Sequence, residues 1–180
     1  MNFNYHKLEG MHAFLSPSKY AWVGYDEETL ESVYINWKQS QIGTELHELA
    51  ANLIKLKVKL PKINKTLNMY VNDAIGFRMN TEICLFYSYD CFGTADAISF
   101  HNNFLRIHDL KTGRTKASMQ QLRIYAALFC LEYGFSPRDI DIELRIYQSN
   151  EVIIEKPEAE DIIYIMDKIV ISDKTIKKLK

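Results

Sequence analysis

The chain has 180 residues and a formal net charge of −1, from 22 Lys and Arg residues against 23 Asp and Glu residues. A chain of this length fits one compact domain, which we expect to span residues 1–180. Hydrophobic residues at 47% and charged residues at 25% exclude a disordered or fibrous chain. The balanced charge excludes a globally basic, histone-like nucleic-acid binder.

The cysteines and the apolar segments indicate the compartment. Cys84, Cys91 and Cys130 form no CxxC pair, which is typical of free thiols in a reducing environment. The N-terminus has no signal-peptide core, and no apolar run reaches the roughly 18 residues of a membrane span. We therefore expect a cytoplasmic protein with no membrane partner.

The N-terminal third is predicted to be helical. The acidic stretch Asp26-Glu27-Glu28 favours a helix N-terminus. The helical pattern then continues to about Lys59, with room for a break at Gly43, before Pro61. A second, short helix is predicted within residues 68–80, packing Tyr70, Val71 and Ile75.

Strands dominate the middle of the chain. Residues 83–87, 93–100 and 104–110 are rich in β-forming residues and bounded by turn residues, which predicts three strands. A helix follows over 116–133, ended by Gly134 and Pro137, and a fourth strand over 141–147. The last element, about 158–171, is predicted to be an amphipathic helix whose apolar stripe is Ile162, Ile165, Met166, Ile169 and Val170.

The second and third strands are predicted to form a hairpin. Asn102-Asn103 suits a two-residue turn, because Asn tolerates the positive φ that such turns need. In that register Phe100 faces Leu105, and Ile98 faces Ile107. The same register places Asp96 opposite Asp109, on the face that carries these apolar residues.

Two opposed aspartates would repel each other at a Cβ separation of about 4.5–5.5 Å. A divalent cation such as Mg²⁺ or Mn²⁺ would balance them, because hard cations prefer carboxylate oxygens. Strand alternation puts Lys111 on the same face as Asp109. Two acids and a lysine at one point suit the hydrolysis of phosphodiester bonds, although each residue alone is also typical of a solvated strand end.

Three helix residues allow a structural and a functional interpretation. His47 lies on an apolar helix face, where a core histidine is the simpler interpretation, and Ala51 replaces the second His that a zinc-protease motif needs. Gln121 and Tyr125 share a helix face. Gln121 could instead form a capping box with Ser118, and Tyr125 could be a core residue.

These residues stand in the order of a known motif set. His47, Gly93-Thr94-Ala95-Asp96, Asp109-Leu110-Lys111 and Gln121-Leu122-Arg123-Ile124-Tyr125 resemble the helix histidine, G-x-x-D, D/E-x-K and Q-x-x-x-Y motifs of the PD-(D/E)XK nuclease superfamily, in its RecB-like branch. The resemblance covers about residues 43–147. It implies an α/β fold with a restriction-endonuclease-like core, αβββαβ, in which helices flank a mixed central sheet. The whole chain also looks like small nucleases of phages and prophages.

The resemblance further implies roles for individual residues. His47, Asp96, Asp109 and the backbone carbonyl of Leu110 would bind Mg²⁺ or Mn²⁺, and Lys111 would assist the attacking water. Gln121 and Tyr125 would lie near the scissile phosphate or the DNA. Some relatives carry an iron–sulfur cluster on four cysteines, and we expect no such cluster with three.

Local charge favours DNA as a partner despite the neutral total. Residues 49–72 hold five lysines and no acid, and residues 101–125 hold five basic residues against one acid. We count Arg114 and Lys116 of the second segment as candidate DNA contacts, with Gln121 and Tyr125.

We expect a metal-dependent deoxyribonuclease, specifically an exonuclease that acts on DNA ends in phage recombination, repair or DNA degradation. A recombinase or a single-strand-binding protein is a candidate further partner. Two alternatives remain open. One is a structure-specific or restriction-like endonuclease, and the other is a non-catalytic DNA-binding module on a nuclease fold.

Overall fold

The computed structural model describes residues 13–113 and 115–180. The chain divides into two compact units, Met1–Ile42 and Gly43–Lys180. The helices are α1 (Glu27–Lys55), α2 (Thr66–Gly76), α3 (Gln120–Tyr133) and α4 (Ala159–Lys177), preceded by a 3-10 helix at Pro17–Gly24. The strands are β1 (Asn80–Ser88), β2 (Cys91–His101), β3 (Phe104–Leu110), β4 (Asp141–Gln148) and β5 (Glu151–Glu155).

Helix α1 begins where the acidic stretch predicts. The Asp26 carboxylate accepts the backbone N–H of Thr29 at 2.8 Å, which satisfies one of the free donors of the first turn. The helix passes Gly43 without a break and ends at Lys55, earlier than predicted. Gly43 has a different reason to be glycine, because a Cβ there would lie 2.8 Å from the Thr112 hydroxyl oxygen.

The five strands form one mixed sheet in the order β1-β2-β3-β4-β5. Strands β3 and β4 are parallel, and the other neighbouring pairs are antiparallel. The predicted α/β class with a mixed sheet between helices is therefore confirmed. Strand β5 was not predicted, although Ser149-Asn150 before a β-branched run is a turn signal, and both residues have positive φ.

The predicted hairpin between β2 and β3 is confirmed. Asn102 and Asn103 have φ of 53° and 57°, as a two-residue primed turn requires. The ladder pairs are Ala97↔His108, Ile98↔Ile107, Ser99↔Arg106, Phe100↔Leu105 and His101↔Phe104.

Both faces of the sheet are covered by helices. Helices α3 and α4 pack on one face over a cluster that includes Leu85, Ile98, Leu105, Ile107, Leu122, Leu144, Ile146 and Ile162. The end of α1 and helix α2 pack on the other face over Ile54, Tyr70, Val71, Ala74, Ala97, Leu110 and Tyr147. Burying each such Leu or Ile side chain contributes about 1.5–3 kcal/mol to folding.

The predicted helices are present, but α3 begins four residues later than predicted, and α4 ends six residues later, at Lys177. The short predicted helix corresponds to α2, in which Tyr70 and Val71 are buried. Helix α3 starts at Gln120 and ends before Gly134, which has φ 72°. In α4 the predicted stripe is buried at Ile162, Ile165 and Ile169. No helix within the described residues is long and apolar enough to cross a membrane.

Candidate active site

Asp96 lies at an interruption of the sheet. The β1–β2 register skips Asp96 and the residue opposite, Glu82, whose φ is 57°. The β2–β3 ladder ends at Ala97↔His108, so the predicted ladder pair of Asp96 with Asp109 does not form. A left-handed residue cannot continue a regular strand, which accounts for the gap on the β1 side.

The alternation of faces also changes at this point. Ala95 and Ile98 both pack under α3 and α4, whereas Ala97 packs in the cluster with α2. A regular strand would put Ala95 and Ala97 on one face. Because of this change of face, the period-2 alternation of side chains that predicted Asp96 opposite Asp109 does not hold at Asp96.

The Asp96 carboxylate joins two other elements. Its Oδ2 accepts the backbone N–H of Leu110 at 2.9 Å, so a side chain takes the place of a ladder bond. The same oxygen lies 3.3 Å from Nδ1 of His47 on α1. The hydrogen bond that the Asp96 carboxylate accepts from His47 raises the pKa of His47, against the opposing effect of burial. His47 therefore faces the carboxylates and not only the core.

Asp109 is a buried carboxylate at the end of β3, only 3% exposed. Burial raises the pKa of Asp109, and the negative charge of Asp96 raises it further, while Lys111 acts in the opposite direction. Lys111 Nζ lies 3.0 Å from Asp109 Oδ2, but this oxygen has no partner in hydrogen-bond geometry among the described residues. The ion pair thus offsets only part of the unfavourable effect of burying the charge, and it leaves the oxygen without a hydrogen bond.

Lys111 connects Asp109 to helix α3. Its Nζ donates to Gln121 Oε1 at 2.9 Å, and Gln121 Nε2 donates to the Tyr125 hydroxyl at 3.2 Å. The Gln121 side chain therefore serves this chain of contacts and not the capping box. The Tyr125 ring lies over β2, where a Cβ on Gly93 would come within 2.9 Å of its Cε1. The glycine of the G-x-x-D motif thus permits this close approach.

The loop after Lys111 is held by a residue that the sequence analysis missed. The buried Gln148 donates to the carbonyls of Gly113 and Thr115 at 2.6 and 2.8 Å and accepts from the N–H of Ala117 at 3.1 Å. Its position at the end of a predicted strand gave no distinguishing signal. The predicted DNA contact Lys116 is exposed on this loop, and Arg114 lies outside the described residues.

Glu82 and Tyr70 lie close enough to the site to interact with it electrostatically. The negative charge of Glu82 helps to raise the pKa of His47. Burial raises the pKa of the Tyr70 hydroxyl, and the charges of Asp96, Asp109 and Glu82 raise it further. Tyr70 was predicted only as a packing residue. Glu82 gave no sequence signal, because its backbone conformation is visible only in the fold.

The donor set can be tested for its fit to a divalent cation. Within the described residues, no three His, Cys, Asp or Glu side chains stand close enough to form a ready-made metal cluster. Asp109 nevertheless keeps a buried oxygen without a hydrogen bond, and its pKa stays raised despite Lys111, so its negative charge is incompletely balanced. Carboxylate oxygens with one imidazole fit Mg²⁺ or Mn²⁺. His47, Asp96 and Asp109 are therefore suitable in chemistry.

The structure brings six of the candidate site residues into contact with one another. One series of contacts links His47 to Asp96 and to the Leu110 N–H. A second series links Asp109, Lys111, Gln121 and Tyr125, and the two are joined through the backbone at Leu110.

Comparisons of this chain with protein-family models, with curated proteins and with solved structures found no match.

Proposed function

We propose that this protein is a metal-dependent nuclease that hydrolyses DNA phosphodiester bonds on a restriction-endonuclease-like core of the PD-(D/E)XK superfamily. One observation carries the proposal. The pKa of the buried Asp109 carboxyl is raised, and this carboxylate contacts Lys111 next to the peptide that holds Asp96. Perturbed acids with a lysine neighbour are typical of catalytic sites.

The topology supports the superfamily core. Three antiparallel strands, β1 to β3, are followed by helix α3 and by β4, which is parallel to β3. The αβββαβ order expected from the motif resemblance is contained in this order, with helix α2 as an additional element between α1 and β1. Asp96 and Asp109 come from the two central motif strands, and Gln121 and Tyr125 come from the helix that crosses between β3 and β4.

His47, Asp96, Asp109 and the Leu110 carbonyl would hold the divalent cation. Bound there, Mg²⁺ or Mn²⁺ would supply Lewis-acid polarisation of a phosphoryl oxygen. The cation would also compensate the charge of Asp109, which the protein alone leaves incompletely balanced.

Lys111 would act on the attacking water and on the phosphoryl oxygens. Its ammonium group has two fixed neighbours, Asp109 Oδ2 and Gln121 Oε1. The Gln121 amide, itself bound to Tyr125, fixes the direction of the lysine. A positioned ammonium group can orient a water molecule and offset the negative charge that develops in the transition state.

A digestion assay tests the proposal. Linear and closed circular DNA are incubated with the wild type in Mg²⁺, in Mn²⁺ and in EDTA. We expect cleavage only with metal, reduced about 100-fold or more by Lys111→Met and by Asp109→Asn. Asp141→Asn, at the opposite end of β3–β4 pairing, is the matched control and should cleave like the wild type.

The substrate topology separates the alternatives. Degradation of linear DNA alone supports an exonuclease acting on ends, and cleavage of circular DNA supports an endonuclease. DNA binding without cleavage in every metal condition would show a non-catalytic module. Cleavage that persists in EDTA or in both site variants contradicts the proposed mechanism.

A further inference from the structure

An open pocket with a volume of about 680 Å³ lies where helices α1 and α2 end. Three basic side chains line it, from Lys55, Lys57 and Arg78, and none of its lining residues is acidic. All three are exposed and form no ion pair with an acid in the part of the chain that the structure describes. The pocket therefore offers uncompensated positive charge.

Helix α1 ends with a strained basic residue. Lys57 has φ 56° and donates its N–H to the carbonyl of Ile54 at 3.0 Å. Val58 then donates to the carbonyl of Leu53 at 2.9 Å. This pair of bonds is the Schellman ending of a helix, in which the left-handed position is usually occupied by glycine.

Helix α2 ends in the same way. Arg78 has φ 54° and donates to the carbonyl of Ile75 at 3.1 Å. Met79 donates to the carbonyl of Ala74 at 2.9 Å. Helix α3 ends instead on Gly134, with φ 72°. Two of these helix ends thus carry a long basic side chain where glycine would be favoured.

Helix stabilisation alone does not account for this choice. A cation near a helix C-terminus is favourable, but the preceding turn offers sites for it without a left-handed backbone, as Lys55 illustrates. What Lys57 and Arg78 share is that both line the same pocket. Strained conformations that converge on one cavity are typical of ligand-binding sites.

The pocket adjoins the proposed active site. Thr81 lines the pocket and pairs in the sheet with Ala97, the residue next to Asp96. Its buried hydroxyl has no hydrogen-bond partner among the described residues. Apolar side chains, including Ile54, Ile75 and Met79, line the rest. Such a mixture of cations and apolar surface suits a chain of phosphates and sugars.

We propose that this pocket binds the phosphodiester backbone of a DNA strand that continues to Asp96 and Asp109. The inference rests on the proposed nuclease function and adds the path of the substrate to it. Lys57 and Arg78 contact phosphates, and their left-handed backbone directs both side chains from helix ends that meet at the pocket.

The test is the salt dependence of binding to a short fluorescein-labelled DNA duplex, measured with Ca²⁺ as the only divalent cation. Lys57→Gly and Arg78→Gly should each weaken binding and reduce the slope of log Kd against log salt by about 1. Both variants should keep or raise the melting temperature, because glycine suits the left-handed backbone. A folding defect therefore does not obscure the result.

Controls separate charge from position. Lys57→Arg and Arg78→Lys should retain the wild-type slope. Lys168→Gln removes an exposed charge on α4 that does not line the pocket, and it should leave the slope unchanged. A wild-type slope in the Lys57→Gly/Arg78→Gly double variant, or no DNA binding by the wild type, overturns the inference.

The same variants distinguish this inference from the proposed function. If the wild type cleaves DNA and the double variant binds and cleaves DNA as the wild type does, the proposed DNA binding at the pocket is wrong and the proposed nuclease activity is supported. If no protein cleaves DNA but the double variant loses salt-dependent affinity, the nuclease activity is wrong and DNA binding at the pocket is supported. Inorganic phosphate is titrated separately by calorimetry. If the double variant loses phosphate binding but keeps the wild-type slope of log Kd for DNA against log salt, the pocket binds a free anion and the inference is overturned.

Discussion

The carboxylate of Asp96 accepts the backbone N–H of Leu110 at 2.9 Å, at the point where the ladder between β2 and β3 has ended. Leu110 lies between Asp109 and Lys111, so one hydrogen bond ties the first acidic motif to the second. The two carboxylates are held near each other by this bond and not by direct cross-strand pairing. The site consequently depends on an irregularity of the sheet.

Asp109→Asn should stabilise the metal-free protein. Because the pKa of Asp109 is raised above its ordinary value of 3.8, stability is lost as the pH rises from 3.8 to the folded-state pKa, and the loss is complete above it. The neutral amide avoids this penalty, so we expect a higher free energy of unfolding than in the wild type at pH 7. The gain should shrink as the pH falls toward 3.8. Urea denaturation in EDTA measures it.

Asp141→Asn is the control for this gain, since Asp141 is exposed at the start of β4. Its unfolding free energy should stay within about 0.5 kcal/mol of the wild type. A clear loss of stability in Asp109→Asn would mean that the ion pair with Lys111 outweighs the burial of Asp109.

Divalent cations should stabilise the wild type through the same carboxylate. A ligand that binds only the folded state adds about 2.7 kcal/mol at 100 times its Kd. We therefore expect Mn²⁺ to raise the melting temperature of the wild type by several degrees and to leave Asp109→Asn almost unchanged. Thermal unfolding with increasing Mn²⁺, at constant ionic strength, measures the effect. An equal rise in both proteins would place the binding elsewhere.

Gly93→Ala should destabilise the protein through Tyr125. The added Cβ would lie 2.9 Å from Cε1 of the Tyr125 ring, so we expect a loss of about 1–3 kcal/mol. The loss should largely disappear in a Tyr125→Ala background, and a double-mutant cycle measures this coupling. Gly76→Ala is the control, because a Cβ at that position meets nothing within 4 Å. Equal losses in both backgrounds would exclude the steric explanation.

His108 should make the metal-free protein sensitive to acid. Burial, together with the positive charges of Arg145 and Arg106, lowers the pKa of His108 to about 3 from the ordinary 6.5. Tyr147 donates its hydroxyl hydrogen to Asp73, so the contact of 3.3 Å requires His108 to donate from Nδ1. This tautomer leaves Nε2 unprotonated and buried without a partner among the described residues.

The sign of the pH effect follows from these pKa values. Between about pH 3 and 6.5, His108 is protonated in the unfolded chain but stays neutral in the folded protein, so stability falls as the pH falls. At pH 5 the loss amounts to about 2 kcal/mol relative to pH 7.5. His108→Phe should remove this part of the pH dependence, whereas His101→Gln, at an exposed position, should keep it. Denaturation in EDTA at both pH values measures the difference, and identical slopes would contradict the prediction.

Local patterns in the sequence determined most of the elements. Asn102-Asn103 specified the turn and the register of β2 and β3, because few residues tolerate positive φ and the apolar residues had to share a face. Gly134 likewise predicted the end of α3, and the apolar stripe predicted α4. The sequence did not predict strand β5 or the early end of α1, because edge strands and helix ends depend on small energy differences.

The sequence by itself also determined which residue types stand in motif order, from His47 to Tyr125. Only the tertiary structure decided how they meet. Strict alternation predicts Asp96 opposite Asp109. In the structure Glu82 is left-handed and β2 changes face, so the Asp96 carboxylate instead accepts a hydrogen bond from the Leu110 peptide. The sequence likewise did not predict that Lys57 and Arg78 line the same pocket, because residues 21 positions apart come together only when two helices end side by side. Sequence periodicity predicts regular helices and strands, whereas these two sites lie at an irregularity of β2 and at two helix ends.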